Sequence, residues 1–260
     1  MRGGFIICQT GSRGGRYTRA VSRRDAIRQL AAGGAALIPL PIRAALGAEA
    51  SAPLQEAYDR YSGRYDELDD GPLARLLGLP QLRKQLLHQA NGKVLEVAVG
   101  TGLNLPLYEW PVVESLAALD LSTGMLSQAE RRAEALALSS HILFQKGDVT
   151  QLPFQDGCFD SVVDTFSLCV FEKPQAALNE MARVLKPDGR LLLLEHTLSS
   201  LQPIAWYQDL TAVAVAKSAK GCVWNQRVPE MVEQAGLTIL EMVPAVAGSV
   251  VSITAAYQRP

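Results

Sequence analysis

The chain has 260 residues, 48% of them hydrophobic and 20% charged, which is enough to bury a sizeable core in one large domain or two small ones. The net charge of −1 conceals an asymmetry, because residues 1–50 hold eight arginines against two acids, while the rest holds 17 basic and 24 acidic side chains. An acidic body lacks the basic stripe that offsets phosphate charge, which excludes nucleic acid as a partner. The cysteines show no CxxC or other paired spacing, so the sequence predicts neither a disulfide framework nor a metal site; they are Cys8, Cys158, Cys169 and Cys222.

Residues 1–50 have the composition of a targeting leader. The first 24 residues carry six arginines and no acid, which is typical of an organelle transit peptide. Ser22-Arg23-Arg24-Asp25 then precedes a small-apolar run over 30–40 and Ala48-Glu49-Ala50, an order that resembles a twin-arginine signal with its cleavage site. This combination predicts a chloroplast protein bound for the thylakoid. Mitochondrial import is the alternative, since arginine-rich, acid-poor leaders serve both organelles, and a disordered basic tail stays open as a third interpretation.

Residues 51–92 predict capping helices in front of the main domain. Apolar and tyrosine side chains recur at helical spacing over 54–68, and a second helical pattern over 73–88 is interrupted near Gly78 and Pro80. From residue 93 onward, strands and helices alternate, which predicts an α/β domain over 93–260 with a mostly parallel sheet and helices on both faces. Strands are predicted at 94–99, 116–121, 142–145, 159–166, 191–194, 239–243 and 250–256, and helices at 123–138, 174–185 and 228–235.

The stretch 94–104 predicts a strand, a tight turn and the start of a helix. Gly100 and Gly102 let the backbone turn sharply and approach a ligand closely. Since the first turn of a helix has N–H groups without partners, this arrangement favours a cradle for a polar or anionic ligand group. Taken alone, a Gly-x-Gly after a strand is equally the pattern of a plain strand-to-helix turn.

Acidic side chains mark the ends of three successive predicted strands. Glu96 precedes the glycine turn, Asp120 closes the second strand 18 residues after Gly102, and Asp148 follows the third strand. A carboxylate at the position of Asp120 can accept hydrogen bonds from both hydroxyls of a ribose. Asp148 can receive an adenine amino group while Val149 packs on the ring. Each acid alone is equally explained as a solvated turn residue, but together they predict a nucleotide-type pocket beyond the carboxyl ends of the strands.

Motifs over residues 58–257 carry a family resemblance. The first set resembles the class I S-adenosylmethionine-dependent methyltransferases: Val94-Leu95-Glu96-Val97-Ala98-Val99-Gly100-Thr101-Gly102, Ala118-Leu119-Asp120-Leu121-Ser122-Thr123-Gly124-Met125 and Gly147-Asp148-Val149. The second set is similar to the type 11 branch, which includes ubiquinone and menaquinone C-methyltransferases: Leu152-Pro153-Phe154, Phe159-Asp160-Ser161-Val162-Val163, Arg183-Val184-Leu185-Lys186-Pro187-Asp188-Gly189-Arg190 and Glu195-His196. Gly221-Cys222, followed by a helix, resembles membrane-associated methyltransferase-like relatives that act on thiols or lipophilic compounds.

The resemblance implies a Rossmann-like methyltransferase domain with a seven-stranded sheet and S-adenosylmethionine as cofactor. It also implies cofactor-binding roles for Glu96, Ala98, Gly100, Thr101, Gly102, Asn104, Asp120, Leu121, Met125, Asp148, Val149, Thr165 and Phe166. The family commonly has glycine where this chain has Ala98, so the turn must accept one additional methyl group there.

The expected reaction is methyl transfer to a small, apolar acceptor such as a quinone, a thiol or a lipid-like molecule. A sulfonium methyl group is already activated, so the protein mainly aligns the acceptor and excludes water, and no metal is expected. If a general base is needed, His196 is the best-placed candidate, although a structural histidine fits equally. The segment 198–222 predicts a helix that caps the acceptor, lies on a membrane surface or packs on the sheet. The oligomeric state stays open.

Two other activities compete with this one. A nicotinamide oxidoreductase would share the sheet, but Gly-Thr-Gly lacks the third glycine of a dinucleotide fingerprint. A cofactor-binding pseudoenzyme or assembly factor would keep the same fold and pocket without turnover.

Overall fold

The computed structural model describes residues 71–218 and 221–258, so the predicted leader and the helix predicted at 54–68 lie outside the described residues. The helical pattern at 73–88 is divided by Gly78, whose left-handed φ of 73° directly precedes the second helix. The helices of the described residues are α1 (Pro72–Leu76), α2 (Leu79–Leu87), α3 (Thr123–Ala135), α4 (Pro174–Val184), α5 (Gln202–Ser218) and α6 (Val228–Gln234).

Seven strands form one sheet in the order β3-β2-β1-β4-β5-β7-β6. The five strands from β1 to β5 are parallel, and β7 runs antiparallel between β5 and β6, which confirms the predicted mostly parallel sheet with helices. Strand order reverses between β1 and β4, where a crevice opens at the carboxyl ends of the strands. The bounds are β1 (Gly92–Val97), β2 (Val113–Asp120), β3 (Ile142–Lys146), β4 (Phe159–Thr165), β5 (Leu185–His196), β6 (Thr238–Ala245) and β7 (Val250–Ala256).

The leucine run in β5 shows why this sheet is covered on both faces. Leu191 and Leu193 join the core that packs under α4 and α6, whereas Leu192 and Leu194 join the core under α2 and α3. All four side chains are fully buried. Since successive side chains of a strand point to opposite faces, a continuous apolar run is required where helices cover both.

Two predicted elements differ from the structure. The helix expected after the glycine turn is wrong, because only a three-residue 3-10 helix, Leu105–Leu107, follows it. Pro106 and Pro111 explain the difference, since proline lacks an N–H and disfavours helical backbone in the residue before it. Strand β5 begins earlier than predicted, because Leu185 already pairs with β4 before the register shifts.

Helix α5 combines one buried anchor with an exposed apolar face. The Gln208 side chain is fully buried, accepts a hydrogen bond from Ser199 N at 2.8 Å and donates to Thr197 O at 2.9 Å. On the other face, Trp206 and Leu210 are 67% and 60% exposed. No helix within the described residues has the length and apolarity needed to cross a bilayer.

Candidate functional site

A cavity of about 410 Å³ lies at the carboxyl ends of β1, β2, β3 and β4. Its wall is built from the turn after β1, the end of β2, the loop after β3, and the segment that follows β4. This is where open parallel sheets bind ligands, and the volume falls in the usual range for small-molecule sites. The polar strand ends predicted from the sequence therefore meet in one cavity.

Two glycines of the turn after β1 have different functions. Gly100 has a left-handed φ of 58°, and a Cβ built there would meet only the Ala98 carbonyl oxygen at 3.9 Å, so its backbone opens onto the cavity. Gly102 does not line the cavity; a Cβ there would lie 2.8 Å from Leu105 Cδ1 and 3.2 Å from Ala129. Gly100 thus leaves room for a ligand, whereas Gly102 lets the turn pack closely on α3.

Ala98 occupies the same turn in a conformation that favours glycine. Its φ is 47°, in the left-handed region, and the residue lines the cavity. A Cβ in this region costs roughly 1–2 kcal/mol through its contact with the backbone. The turn therefore tolerates the methyl group expected from the sequence, at an energetic cost.

Asp120 ties the end of β2 to the glycine turn. One carboxylate oxygen accepts a hydrogen bond from Gly100 N at 2.9 Å, and the other accepts one from Ser122 N at 2.8 Å. The side chain is 9% exposed and lines the cavity. Ser122 in turn caps α3 by accepting a hydrogen bond from Met125 N at 3.1 Å. This carboxylate is therefore held by backbone amides at the cavity wall.

The loop after β3 brings Asp148 and Val149 to the wall. Asp148 accepts hydrogen bonds from Thr150 N and Thr150 Oγ1, both at 2.8 Å, which fixes the carboxylate at the start of a 3-10 turn. Arg183 of α4 holds the loop in place by donating to Phe154 O at 2.8 Å and to Leu152 O at 3.0 Å. Arg183 therefore stabilises the loop that forms this part of the cavity wall, although Arg183 itself does not line the cavity.

A buried polar network lies behind the wall. Glu96 is 2% exposed and accepts hydrogen bonds from Asn104 Nδ2 and Tyr108 Oη, both at 2.8 Å. Arg83 of α2 donates to Asn104 Oδ1 at 3.0 Å and to Thr165 Oγ1 at 3.3 Å. Burial raises the pKa of Glu96 to about 7, against the lowering effect of these hydrogen bonds, and burial also raises the pKa of Tyr108. Glu96 itself does not line the cavity, because Asn104 and Tyr108 occupy both carboxylate oxygens.

The end of β4 is strained and lies beside a pair of buried acids. Phe166 has a left-handed φ of 57°, which is rare for a bulky residue, and it lines the cavity. The Ser167 hydroxyl donates to Asp164, and Ser167 N donates to Glu195 Oε1 at 2.8 Å. Burial raises the pKa of Asp164 to about 7. The pKa of Glu195 is also raised, mainly by burial and secondly by the negative charge of Asp164. Such strain is concentrated at ligand sites, so the position is consistent with a working cavity wall.

His196 lies behind this wall and does not line the cavity. Its ring centroid is 5.1 Å from that of Phe166, and its Nδ1 is 3.7 Å from Cys169 Sγ and 3.6 Å from Cys222 Sγ. The pKa of the Cys222 thiol is lowered, chiefly by its hydrogen bond with Cys169 and to a smaller extent by His196. The structure therefore does not bring the predicted base to the cavity.

Eleven of the thirteen residues predicted to bind a cofactor line this single cavity, and the exceptions are Glu96 and Gly102. Sequence reasoning missed Arg83, which lines the cavity from α2, and Tyr108, which holds Glu96. Neither residue has a spacing signal, because each reaches the site from an element whose packing the sequence does not specify.

A mostly parallel sheet with this order, and a glycine turn facing an acid at the end of β2, are typical of a methyltransferase-type nucleotide site. Residues 95–193 match the family model described as "Methyltransferase domain", type 11. The matched residues are therefore similar to the class I S-adenosylmethionine-dependent methyltransferases.

Individual methyltransferases are also similar to this chain. The chain is 33% identical over 153 residues to the ubiquinone/menaquinone biosynthesis C-methyltransferase UbiE of Roseobacter denitrificans, covering 56% of this chain and 60% of that protein. It is 28% identical over 206 residues to the mitochondrial methyltransferase OMS1 of Saccharomyces cerevisiae, covering 73% of this chain and 44% of that protein. The chain thus spans less than two thirds of the length of these curated relatives.

A solved structure extends the similarity in fold. The geranyl diphosphate C-methyltransferase of Streptomyces coelicolor, in complex with Mg²⁺, geranyl diphosphate and S-adenosyl-L-homocysteine, superposes with a TM-score of 0.60 at 16% identity. The match covers 80% of this chain and 100% of that chain. At this identity the comparison supports the fold, and the cofactor follows from the family.

Proposed function

We propose that the chain transfers a methyl group from S-adenosylmethionine to a small, apolar acceptor. The observation that carries the proposal is the convergence of Gly100, Asp120 and Asp148 on one cavity, at successive strand ends of a methyltransferase domain. The open space beside Gly100 and the acceptor oxygens of Asp120 fit an adenosyl group, which has hydroxyls to donate and a flat ring to bury.

The wall residues would hold the cofactor as follows. Asp120 would accept hydrogen bonds from the ribose hydroxyls, and Asp148 with Val149 would receive the adenine. Arg83 brings a guanidinium to the wall, its Cζ 5.4 Å from the centroid of the Phe166 ring, where it can pair with the carboxylate of the methionine part. When bound, S-adenosylmethionine supplies an activated methyl group on a sulfonium.

The acceptor side of the cavity favours an apolar molecule. Phe166, Val170 and Phe171 line the cavity in the segment after β4, which also contributes Ser167, Glu172 and Lys173 to the wall. Apolar side chains exclude water from the cavity, and the shape of the cavity then orients the methyl acceptor. Quinones, thiols and lipid-like molecules all fit this description, and the similar protein of Roseobacter denitrificans is named for ubiquinone and menaquinone biosynthesis.

The exposed apolar face of α5 is a candidate surface for contact with a membrane that holds such an acceptor. Trp206, Leu210 and Val213 recur at helical spacing and are 67%, 60% and 64% exposed. Aromatic and aliphatic side chains on one face of a helix with a lysine in its last turn, Lys217, favour peripheral contact with a membrane surface. Co-sedimentation with vesicles tests the contact, and Trp206→Ser with Leu210→Ser should abolish it.

The proposed location follows from the leader and not from the described residues. A transit peptide and twin-arginine-like segment over 1–50 would direct the capping helices at 51–92 and the domain at 93–260 to a chloroplast, with the thylakoid as destination. The mitochondrion is the alternative, and the relative OMS1 is named as mitochondrial. Fractionation of a tagged full chain decides between them, and a purely cytosolic signal would contradict both.

Calorimetric titration of the full chain tests the proposed activity first at the level of binding. Micromolar binding of S-adenosylhomocysteine, with none for NAD, excludes the rival oxidoreductase. Methyl transfer to a panel of quinones, thiols and lipids is then followed by mass spectrometry. Cofactor binding without transfer to any acceptor would instead favour the pseudoenzyme.

A further inference from the structure

Three side chains that commonly bind soft metal ions converge behind the cavity wall. Cys169 lies in the 3-10 helix Leu168–Val170, His196 ends β5, and Cys222 lies between α5 and α6. The two sulfur atoms and the imidazole nitrogen all lie within 4.8 Å of one another. They come from three separate segments of the chain, which brings two thiols and one imidazole together at a single point.

We propose that Cys169, His196 and Cys222 form a binding site for Zn²⁺, with His196 coordinating through Nδ1. Zinc binds cysteine sulfur at about 2.3 Å and histidine nitrogen at about 2.0–2.1 Å in tetrahedral geometry, which separates the two donor atoms by about 3.6 Å. The observed Nδ1 to Sγ distances are 3.7 Å for Cys169 and 3.6 Å for Cys222. Both Nδ1 to Sγ distances therefore match the separation of two ligand atoms around a tetrahedral zinc ion.

The alternative explanation is a set of ordinary hydrogen bonds, in which the two thiols also contact each other and Cys169 Sγ lies 4.0 Å from Phe166 O; a thiol is a weak donor, so these sulfur contacts stabilise the cluster little. A neutral imidazole Nδ1 has one lone pair, so it can accept a proper hydrogen bond from only one of two thiols. Cys169 and Cys222 are only 3% and 7% exposed, which leaves water little access to the second thiol. A cation satisfies all three donors at once, and thiolate with imidazole is a preferred ligand set of zinc.

Three protein ligands leave the fourth position of the ion for water or another exogenous ligand. The site lies next to the cavity, because Ser167 and Val170 flank Cys169 and line the wall, and His196 contacts the ring of Phe166. A bound ion would thus fix the strained end of β4. The proposal does not depend on the identity of the methyl acceptor or on methyl transfer itself.

Metal titration of the full chain tests this site. The protein is purified under reducing conditions, stripped with a chelator, and titrated with Zn²⁺ against a chromophoric chelator and with Co²⁺ followed by absorption. We expect one equivalent of Zn²⁺, a rise in melting temperature on adding it, and a Co²⁺ spectrum with intense tetrahedral bands and thiolate-to-cobalt charge transfer. Cys222→Ser should weaken Zn²⁺ binding at least 100-fold. Cys158→Ser removes a buried thiol outside the cluster and should bind like the original chain.

Several results would overturn the proposal. These are no Zn²⁺ binding by the reduced chain, equal affinity in Cys222→Ser, or a weak octahedral Co²⁺ spectrum without charge transfer. A disulfide between Cys169 and Cys222 in metal-free protein isolated without reductant would assign a redox pair in place of the metal. If Cys222→Ser does not fold, the Co²⁺ spectrum of the original chain decides, because charge transfer requires a thiolate ligand.

Discussion

Replacing Asp120 with alanine should weaken binding of S-adenosylhomocysteine by tenfold or more. The carboxylate lines the cavity and is fixed by the amides of Gly100 and Ser122, so it would meet the ribose hydroxyls without reorganising. A hydrogen bond to a charged group contributes about 1.5–3 kcal/mol, which corresponds to a loss of roughly 10- to 150-fold in affinity. The variant also loses the hydrogen bonds from Gly100 N and Ser122 N, so the glycine turn is held less firmly and cofactor affinity falls further.

The assay is calorimetric titration of the full chain, with melting temperature measured in parallel. Glu114→Ala is the matched control, because Glu114 lies on the same strand at its other end and is exposed. That variant should bind S-adenosylhomocysteine as the original chain does. Unchanged affinity in a folded Asp120→Ala protein would refute this placement of the cofactor.

Three other substitutions test the energetics around the site. Ala98→Gly should raise the free energy of unfolding by about 1 kcal/mol, because glycine adopts the left-handed conformation without the steric cost that alanine has there. Ala137→Gly, at an exposed position with φ 57°, should raise it similarly without altering cofactor affinity. Denaturant titration measures the free energy of unfolding of both variants. Glu96 has a pKa of about 7 in the folded protein against an ordinary 4.5, so its contribution to stability is complete below pH 4.5 and is lost as pH rises through 7. Glu96→Gln does not ionise, so its free energy of unfolding should fall by about 3 kcal/mol less over this pH range than that of the original chain. Equal pH profiles of stability for the two proteins would contradict this prediction. Arg183→Met should cost about 3 kcal/mol or more, because it removes two charged hydrogen bonds to the β3–β4 loop together with those to Glu180 and Asp156. The melting temperature should fall, and an unchanged melting temperature would show that Arg183 does not stabilise the loop.

The sheet was predictable from the sequence because its signals are local. The leucine run of β5 and the acids after β2 and β3 each lie within a few residues of the strand end that they mark. Parallel strands place their carboxyl ends at one edge, so the meeting of Asp120 and Asp148 in one cavity follows from topology alone. The helix after the glycine turn was predicted wrongly because Pro106 and Pro111 outweigh the glycine pattern.

The parts that the sequence did not reveal depend on packing between distant segments. Arg83 reaches the cavity from α2, and its register on that helix is set by tertiary contacts rather than by a motif. Cys169, His196 and Cys222 are separated by more than 25 residues at each step, so no short spacing pattern reports them. The prediction that no metal site exists was made from local spacing and stays a prediction, whereas the zinc site proposed above consists of residues that the fold brings together.

Methyl transfer from labelled cofactor tests the central claim most directly. The full chain is incubated with methyl-labelled S-adenosylmethionine and an organelle extract, and labelled products are identified by mass spectrometry, with Asp120→Ala as the parallel reaction. The proposed function predicts one labelled, apolar small molecule that is lost in the Asp120→Ala reaction. A folded, cofactor-binding chain that labels no small molecule would contradict it.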